Sequence, residues 1–273
     1  MSVRRKGIGE GSRPSTWVLV PATIAIGFVT LPLLALVVRA PWSSAGAVLA
    51  SPGVASALRL SVICSLGATV CAIVLGVPLA WLLARHKFVG RSVVRTLVTL
   101  SLVLPPVVSG VALLMAFGRR GLVGRYLDQW FGIQLPFSTA GVIVAETFVA
   151  LPFLVLTLDG AFRTNDRRLE AAAASLGASR WTTFRRITVP AVGPSMIAGA
   201  VLAWARALGE FGATIAFAGN LPGRTQTLPL AVYLALETDP GAAVLLSLVL
   251  VSVSFVVLFA LRNRWVGSLG VQP

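Results

Sequence analysis

Leu60 to Ala84 reads LSVICSLGATVCAIVLGVPLAWLLA, with no charged residue. As a helix this run is about 37 Å long, enough to cross the ~30 Å of hydrocarbon in a bilayer. A soluble domain would have to cover it on every side, whereas lipid solvates it directly. The rest of the chain has the same character. Of 273 residues, 56% are hydrophobic and only 12% are charged, a balance that points to a membrane protein.

Working outward, five further apolar runs have spanning length. Trp17 to Val38, Thr96 to Gly118 and Ala242 to Leu261 carry no charge. Gly141 to Leu158 holds only Glu146, and Ile187 to Ala218 holds only Arg206 and Glu210. The expectation is an all-α integral membrane protein with about six transmembrane helices. Arg4, Arg5, Lys6 and Arg13 precede the first run, as in a secretion signal. Its core is too long for a signal and no small-x-small site closes it, so a retained helix is expected.

The formal net charge of +14 would suggest nucleic acid in a soluble chain. Here the basic residues cluster between apolar runs, which is the pattern of the positive-inside rule and of contact with anionic lipid. Nucleic acid is therefore not expected as a partner; membrane lipid is. With the N-terminus inside, the inner segments hold sixteen Lys and Arg, including Arg85, Lys87, Arg91, Arg95, Arg163, Arg167, Arg168, Arg180, Arg185, Arg186, Arg262 and Arg264. The outer segments hold five: Arg39, Arg119, Arg120, Arg125 and Arg224. Both termini are expected in the cytoplasm.

Chemistry within the chain is thinly represented. Cys64 and Cys71 stand about 10 Å apart along one helix, too far to bridge. His86 sits between Arg85 and Lys87 with no second ligand near it, so no metal site is expected. No catalytic triad is recognisable. There is no G-x-x-x-x-G-K-[ST] phosphate loop, so any ATP must be bound by a different chain.

The loop after the fourth run reads RTNDRRLEAAAASLGASRWTTFRRITVP, Arg163 to Pro190. Ala171 to Ala174 favours a helix, Gly177 ends or bends it, and Ser179 is placed to cap a second. That second piece sets Trp181 and Phe184 at i, i+3 among basic residues, as an aromatic anchor for something in the cytoplasm. The segment resembles the EAA loop of type I ABC-importer permeases, whose pattern is E-A-A, three residues, G, nine residues, I-x-L-P. Ala172, Ala173, Gly177, Ile187 and Pro190 fit it. Ala171 holds the glutamate position, with Glu170 one residue early, and Val189 replaces the leucine. The resemblance implies a coupling helix over about Leu169 to Phe184, including Ala178, docked on a cytoplasmic ATPase subunit. ATP and Mg would be that partner's cofactors, and this chain would have none and be no enzyme.

A second run, ARALGEFGATIAFAGNLPGRTQTLPLAVYLALE from Ala205 to Glu237, is similar to the molybdate permeases of that family. Sulfate and tungstate permeases share its R-A-L-G-E-F-G core. The likeness to the wider family covers about residues 54–263, after an N-terminal segment 1–16 and a first helix over 17–39, with the coupling loop at 163–190. It implies a multi-pass protein of the bacterial inner membrane, acting as a homodimer with two ATPase copies and an extracytoplasmic oxyanion-binding protein.

Arg206 and Glu210 stand four apart on one helix face, where an unpaired charge is costly. Two readings stand: an ion pair that fixes packing, or a waypoint on an anion path, with Gly209 and Gly212 allowing close helix approach. Glu146 is a further intramembrane acid without an evident partner. Thr225 to Leu236 is too short to cross and is expected to lie at the outer face. Asn220 to Thr227, with Pro222, Gly223, Arg224 and Thr225, is the candidate contact for the binding protein.

Overall fold

Every regular element among the described residues, 15–166 and 168–266 of this computed structural model, is helical. Arg4, Arg5, Lys6, Arg13 and Arg167 lie outside the described residues, as do the side chains of Arg262 and Arg264. In chain order the helices are α1 Thr16–Arg39, α2 Ala45–Leu49, α3 Pro52–Arg85, α4 Arg91–Val103, α5 Pro106–Phe117, α6 Gly124–Phe131 and α7 Thr139–Thr164. They continue with α8 Arg168–Ser175, α9 Arg180–Thr183, α10 Val189–Ala191, α11 Gly193–Leu208, α12 Gly212–Ala218, α13 Leu228–Thr238 and α14 Pro240–Val266.

Four of these are long and apolar enough to cross a bilayer: α1, α3, α7 and α14 as far as Leu261. A fifth crossing results if Arg180–Ala191 and Gly193–Leu208, bent by 71° at Val192, count as one span. The expected third span, Thr96 to Gly118, is two helices rather than one. Leu104 and Pro105 both adopt extended ψ near 133°, because a residue before proline is barred from helical geometry. Pro106 then opens α5 at its first turn, where a missing N–H costs nothing. The expected fifth span is likewise divided, at Val192 and again at Gly209 to Phe211.

The core is built on α3 and α7, with α11 packed against both. Ala68, Ala72 and Ala80 of α3 meet Ala150, Leu154, Leu158 and Phe162 of α7 and Ala203 and Ala207 of α11, all buried. Small residues let the backbones approach, which drives association where lipid removes the hydrophobic advantage. By contrast α1 buries none of its residues and leans on α14. Its exposed apolar surface is the kind that lipid covers.

The two ends of the bundle differ. At one end Arg85, Arg91, Arg95, Arg163 and Arg180 gather where α3 and α7 finish and α4 and α9 start. Arg91 Nε and Arg95 Nη2 both donate to the Leu83 carbonyl at 2.8 and 3.3 Å, meeting the negative end of α3. At the opposite end Thr139 Oγ1 donates to the Arg224 carbonyl at 2.9 Å, and the Leu228 N–H donates to Ser61 Oγ at 2.6 Å. The short helix expected within Thr225 to Leu236 is present as α13.

Candidate functional site

The segment between α7 and α11 folds as its sequence directs. The alanine run is helical in α8, and Gly177 follows with φ of 80°, a left-handed value that an L side chain resists. Ser179 Oγ accepts the Thr182 N–H at 3.1 Å and caps α9. Residues 184–188 then form a single π turn that leads into α10.

What the sequence left open is how this segment grips the bundle. Glu170 Oε1 accepts from Arg85 Nη2 at 3.0 Å and from Thr188 Oγ1 at 3.0 Å. One carboxylate thus joins the end of α3, the start of the loop and the π turn. Beside it, Asp159 of α7 pairs with Arg95 of α4 at 3.0 Å and with Arg163 at 3.1 Å. The displaced glutamate is a tie within the chain. Sequence reasoning missed Arg85, Thr188, Arg95 and Asp159, since each looked like an ordinary polar residue near the end of an apolar run.

The two predicted aromatics take different roles. Trp181 is 68% exposed. Phe184, expected to be offered outward as well, is turned in and half-buried, with its ring 5.3 Å from Trp81 edge-on and 5.9 Å from Trp181. Leu169 is exposed and Leu176 is 88% exposed. The outward apolar surface of the segment is therefore Leu169, Leu176 and Trp181. Ala171, Ala172 and Pro190 are also exposed, Ala178 and Ile187 are half-buried, and Ala173 faces inward.

Midway along the bundle, Arg206 Nη1 lies 2.6 Å from Glu210 Oε2. The glutamate is 1% exposed and the arginine 28%. Glu210 Oε1 also accepts the Ala213 N–H at 2.8 Å, satisfying a free donor at the first turn of α12. Glu146 on α7 is buried as well, with Oε2 lacking a hydrogen-bond partner. Gly212 permits a close approach: a Cβ there would sit 2.7 Å from Pro106 Cβ. Gly110, missed in the sequence, does the same from α5, where a Cβ would lie 2.6 Å from Ala216 Cβ. A Cβ at Gly209 would meet only the Ala205 carbonyl oxygen, at 3.7 Å, so no packing within the described chain requires a glycine there.

At the opposite end Pro222, Gly223 and Arg224 are exposed and Asn220 is half-buried. Thr225 departs from expectation. It is fully buried, and its Oγ1 accepts the Leu221 N–H at 2.9 Å, which closes the turn.

Comparison with known proteins places this architecture. Residues 72–268 match the family model described as "Binding-protein-dependent transport system inner membrane component". A molybdenum transport system permease protein of Mycobacterium tuberculosis is 50% identical over 250 residues, covering 91% of this chain and 94% of that one. A sulfate transport system permease protein of Salmonella typhimurium is 34% identical over 237 residues, 85% of each chain. Among solved structures, a bacterial ABC transporter involved in import of the acidic polysaccharide alginate superposes with a TM-score of 0.70 at 20% identity, covering 90% of this chain and 93% of that one. The chain is a multi-pass membrane protein that belongs to the family of inner membrane components of binding-protein-dependent transport systems.

Proposed function

We propose that this chain is the membrane-spanning permease subunit of an ATP-driven molybdate importer. The observation that carries the substrate is its likeness to the mycobacterial molybdenum permease over nearly the whole length of both chains. The sulfate permease relative is markedly more distant, so sulfate or tungstate is the second reading. Proteoliposomes holding this chain with its ATPase and binding protein should accumulate labelled molybdate. Unlabelled molybdate should compete in large preference to sulfate; the reverse order would assign sulfate.

In this reading the bundle has six crossings, with α4 and α5 together forming the third and the bent segment ending in α12 forming the fifth. The excess of arginine at one end supports placing that end, and both termini, in the cytoplasm. The permease domain is 54–263 and the first helix is 17–39. Two copies of the chain associate, each presenting residues 163–190 to one cytoplasmic ATPase subunit that binds ATP and Mg. Leu169, Leu176 and Trp181 supply the apolar contact, and the chain itself performs no covalent chemistry.

The tie through Glu170 supports a mechanical role for that contact. A displacement of the docked segment is delivered to α3 through Arg85 and to the π turn through Thr188, and α11 follows through α10. The far end of α11 carries Arg206. Its part-exposed guanidinium is suited to meet an oxyanion, while Glu210 holds it in place and limits how tightly the anion is kept. Outside, the exposed Pro222, Gly223 and Arg224 turn is the surface offered to the binding protein, with Asn220 at its base. Closure of two ATPase subunits on ATP then rocks the helix pairs between inward-open and outward-open arrangements.

A further inference from the structure

Between the end of α3 and the α8–α10 segment lies an open cleft of about 380 Å³, lined by Trp81, Arg85, His86, Glu170, Arg180 and Phe184 among others. Arg85, one of these lining residues, carries side-chain donors that nothing receives among the described residues. The Arg85 side chain is only 6% exposed, and Nη2 is spent on Glu170. Nε and Nη1 are buried without a hydrogen-bond partner. A buried N–H of a charged group left unpaired is costly and is uncommon in native structures. Thr188 is already committed to Glu170, whereas Thr183 also borders the cleft.

The charge balance is equally uneven. Arg85 and Glu170 offset one another, and Arg180 remains as a cation with no acidic partner among the described lining residues. Trp81 and Phe184 form an apolar wall that lowers the local dielectric and strengthens any ionic contact made against it. A neutral ligand would leave Arg180 unmatched, and a cation would be repelled. Guanidinium groups match tetrahedral oxyanions because their forked N–H pairs reach two oxygens at once.

We propose that this cleft binds a tetrahedral oxyanion group, with Arg85 and Arg180 as its charged donors and Thr183 as a neutral one. Such a group is carried by a free inorganic anion and by a phospholipid headgroup alike. The basic end of the bundle is where anionic headgroups would collect, so both sources are open to it. The site is separate from Arg206 and does not depend on which anion the chain transports.

The test uses the full chain in nanodiscs of phosphatidylcholine, titrated with sulfate and followed by calorimetry and tryptophan fluorescence. Saturable binding is expected, with a fluorescence component that Trp81→Phe removes. Arg85→Gln and Arg180→Ala should each weaken binding by about tenfold or more, and Arg206→Gln should leave it in place. Sulfate binding in these discs identifies the free anion as a ligand. Silence there, with quenching of Trp81 by brominated phosphatidylglycerol that depends on the same two arginines, identifies the headgroup. Failure of both probes, or binding indifferent to Arg180→Ala, overturns the proposal. Arg180 is exposed, so that variant reads binding even where Arg85→Gln disturbs folding.

Discussion

Arg85 and Glu170, 85 residues apart in sequence, meet in an ion pair 3.0 Å long at the foot of α3. Among the described residues the pair is the one direct charge link between the α3 terminus and the loop that follows α7. Removing one member leaves the other with an uncompensated, largely buried charge. Glu170→Ala should therefore destabilise the protein by about 3 kcal/mol, at the low end for a buried pair because Glu170 is partly exposed. Thermal unfolding in nanodiscs reads this. The double variant Arg85→Met with Glu170→Leu should recover much of the stability yet remain defective in ATP-driven uptake, because the mechanical tie is gone.

The two aromatics of the proposed coupling segment should separate cleanly. Trp181→Ala removes an exposed ring and should change stability by less than about 0.5 kcal/mol. It should nonetheless abolish most ATP-driven uptake or release the ATPase from the membrane. Phe184→Ala removes a half-buried ring packed on Trp81 and should cost about 1–3 kcal/mol, below the value for a fully buried phenylalanine. Unfolding midpoints alongside uptake assays distinguish the two.

Helices α5 and α12 touch through glycines, so a methyl group should separate them. Gly110→Ala places a Cβ against Ala216 Cβ and the Ala213 carbonyl, and Gly212→Ala places one against Pro106. Each should cost about 1–3 kcal/mol by overpacking. Gly209→Ala should cost far less, since the nearest atom to its Cβ is 3.7 Å away on its own helix. A stability series across the three variants checks this ordering.

Much of the fold was legible because lipid imposes a coarse rule: a charge-free run of spanning length becomes a helix, as Leu60 to Ala84 did within α3. The rule fails where proline and glycine act inside such a run. Thr96 to Gly118 has no charged residue to mark its break, and the Pro105–Pro106 pair divides α4 from α5. The segment between α7 and α11 was legible in its local signals, the alanine run, Gly177 and Ser179. Its attachment was not, because the Arg85–Glu170 and Arg95–Asp159 contacts join residues 85 and 64 positions apart. Nothing local in either partner names the other. Phe184 differs for a related reason: helical spacing sets it beside Trp181, whereas Trp81 and the core around it, far away in sequence, draw it inward.

At the opposite end Asp128 should respond to acid. Hydrogen bonds from Gln134 and then Arg119 hold its carboxyl below the usual aspartate range. A depressed pKa in the folded protein adds stability above the unfolded value, and that contribution disappears as pH falls through the folded one. The turn joining α5 and α6 should loosen only in acid below the ordinary aspartate range, and Asp128→Asn should remove that dependence. Hydrogen exchange of Gly121 to Ile133 between neutral and acidic pH reads it directly.

The central claim is that the segment from Arg168 to Thr188 takes up work from a separate ATPase. Molybdate accumulation in proteoliposomes, measured with and without ATP, the ATPase and the binding protein, tests it most directly. Accumulation should require all three, and Trp181→Ala should abolish it while the permease stays folded. Accumulation by this chain alone, or unchanged uptake in the Trp181→Ala and Glu170→Ala variants, would contradict the account.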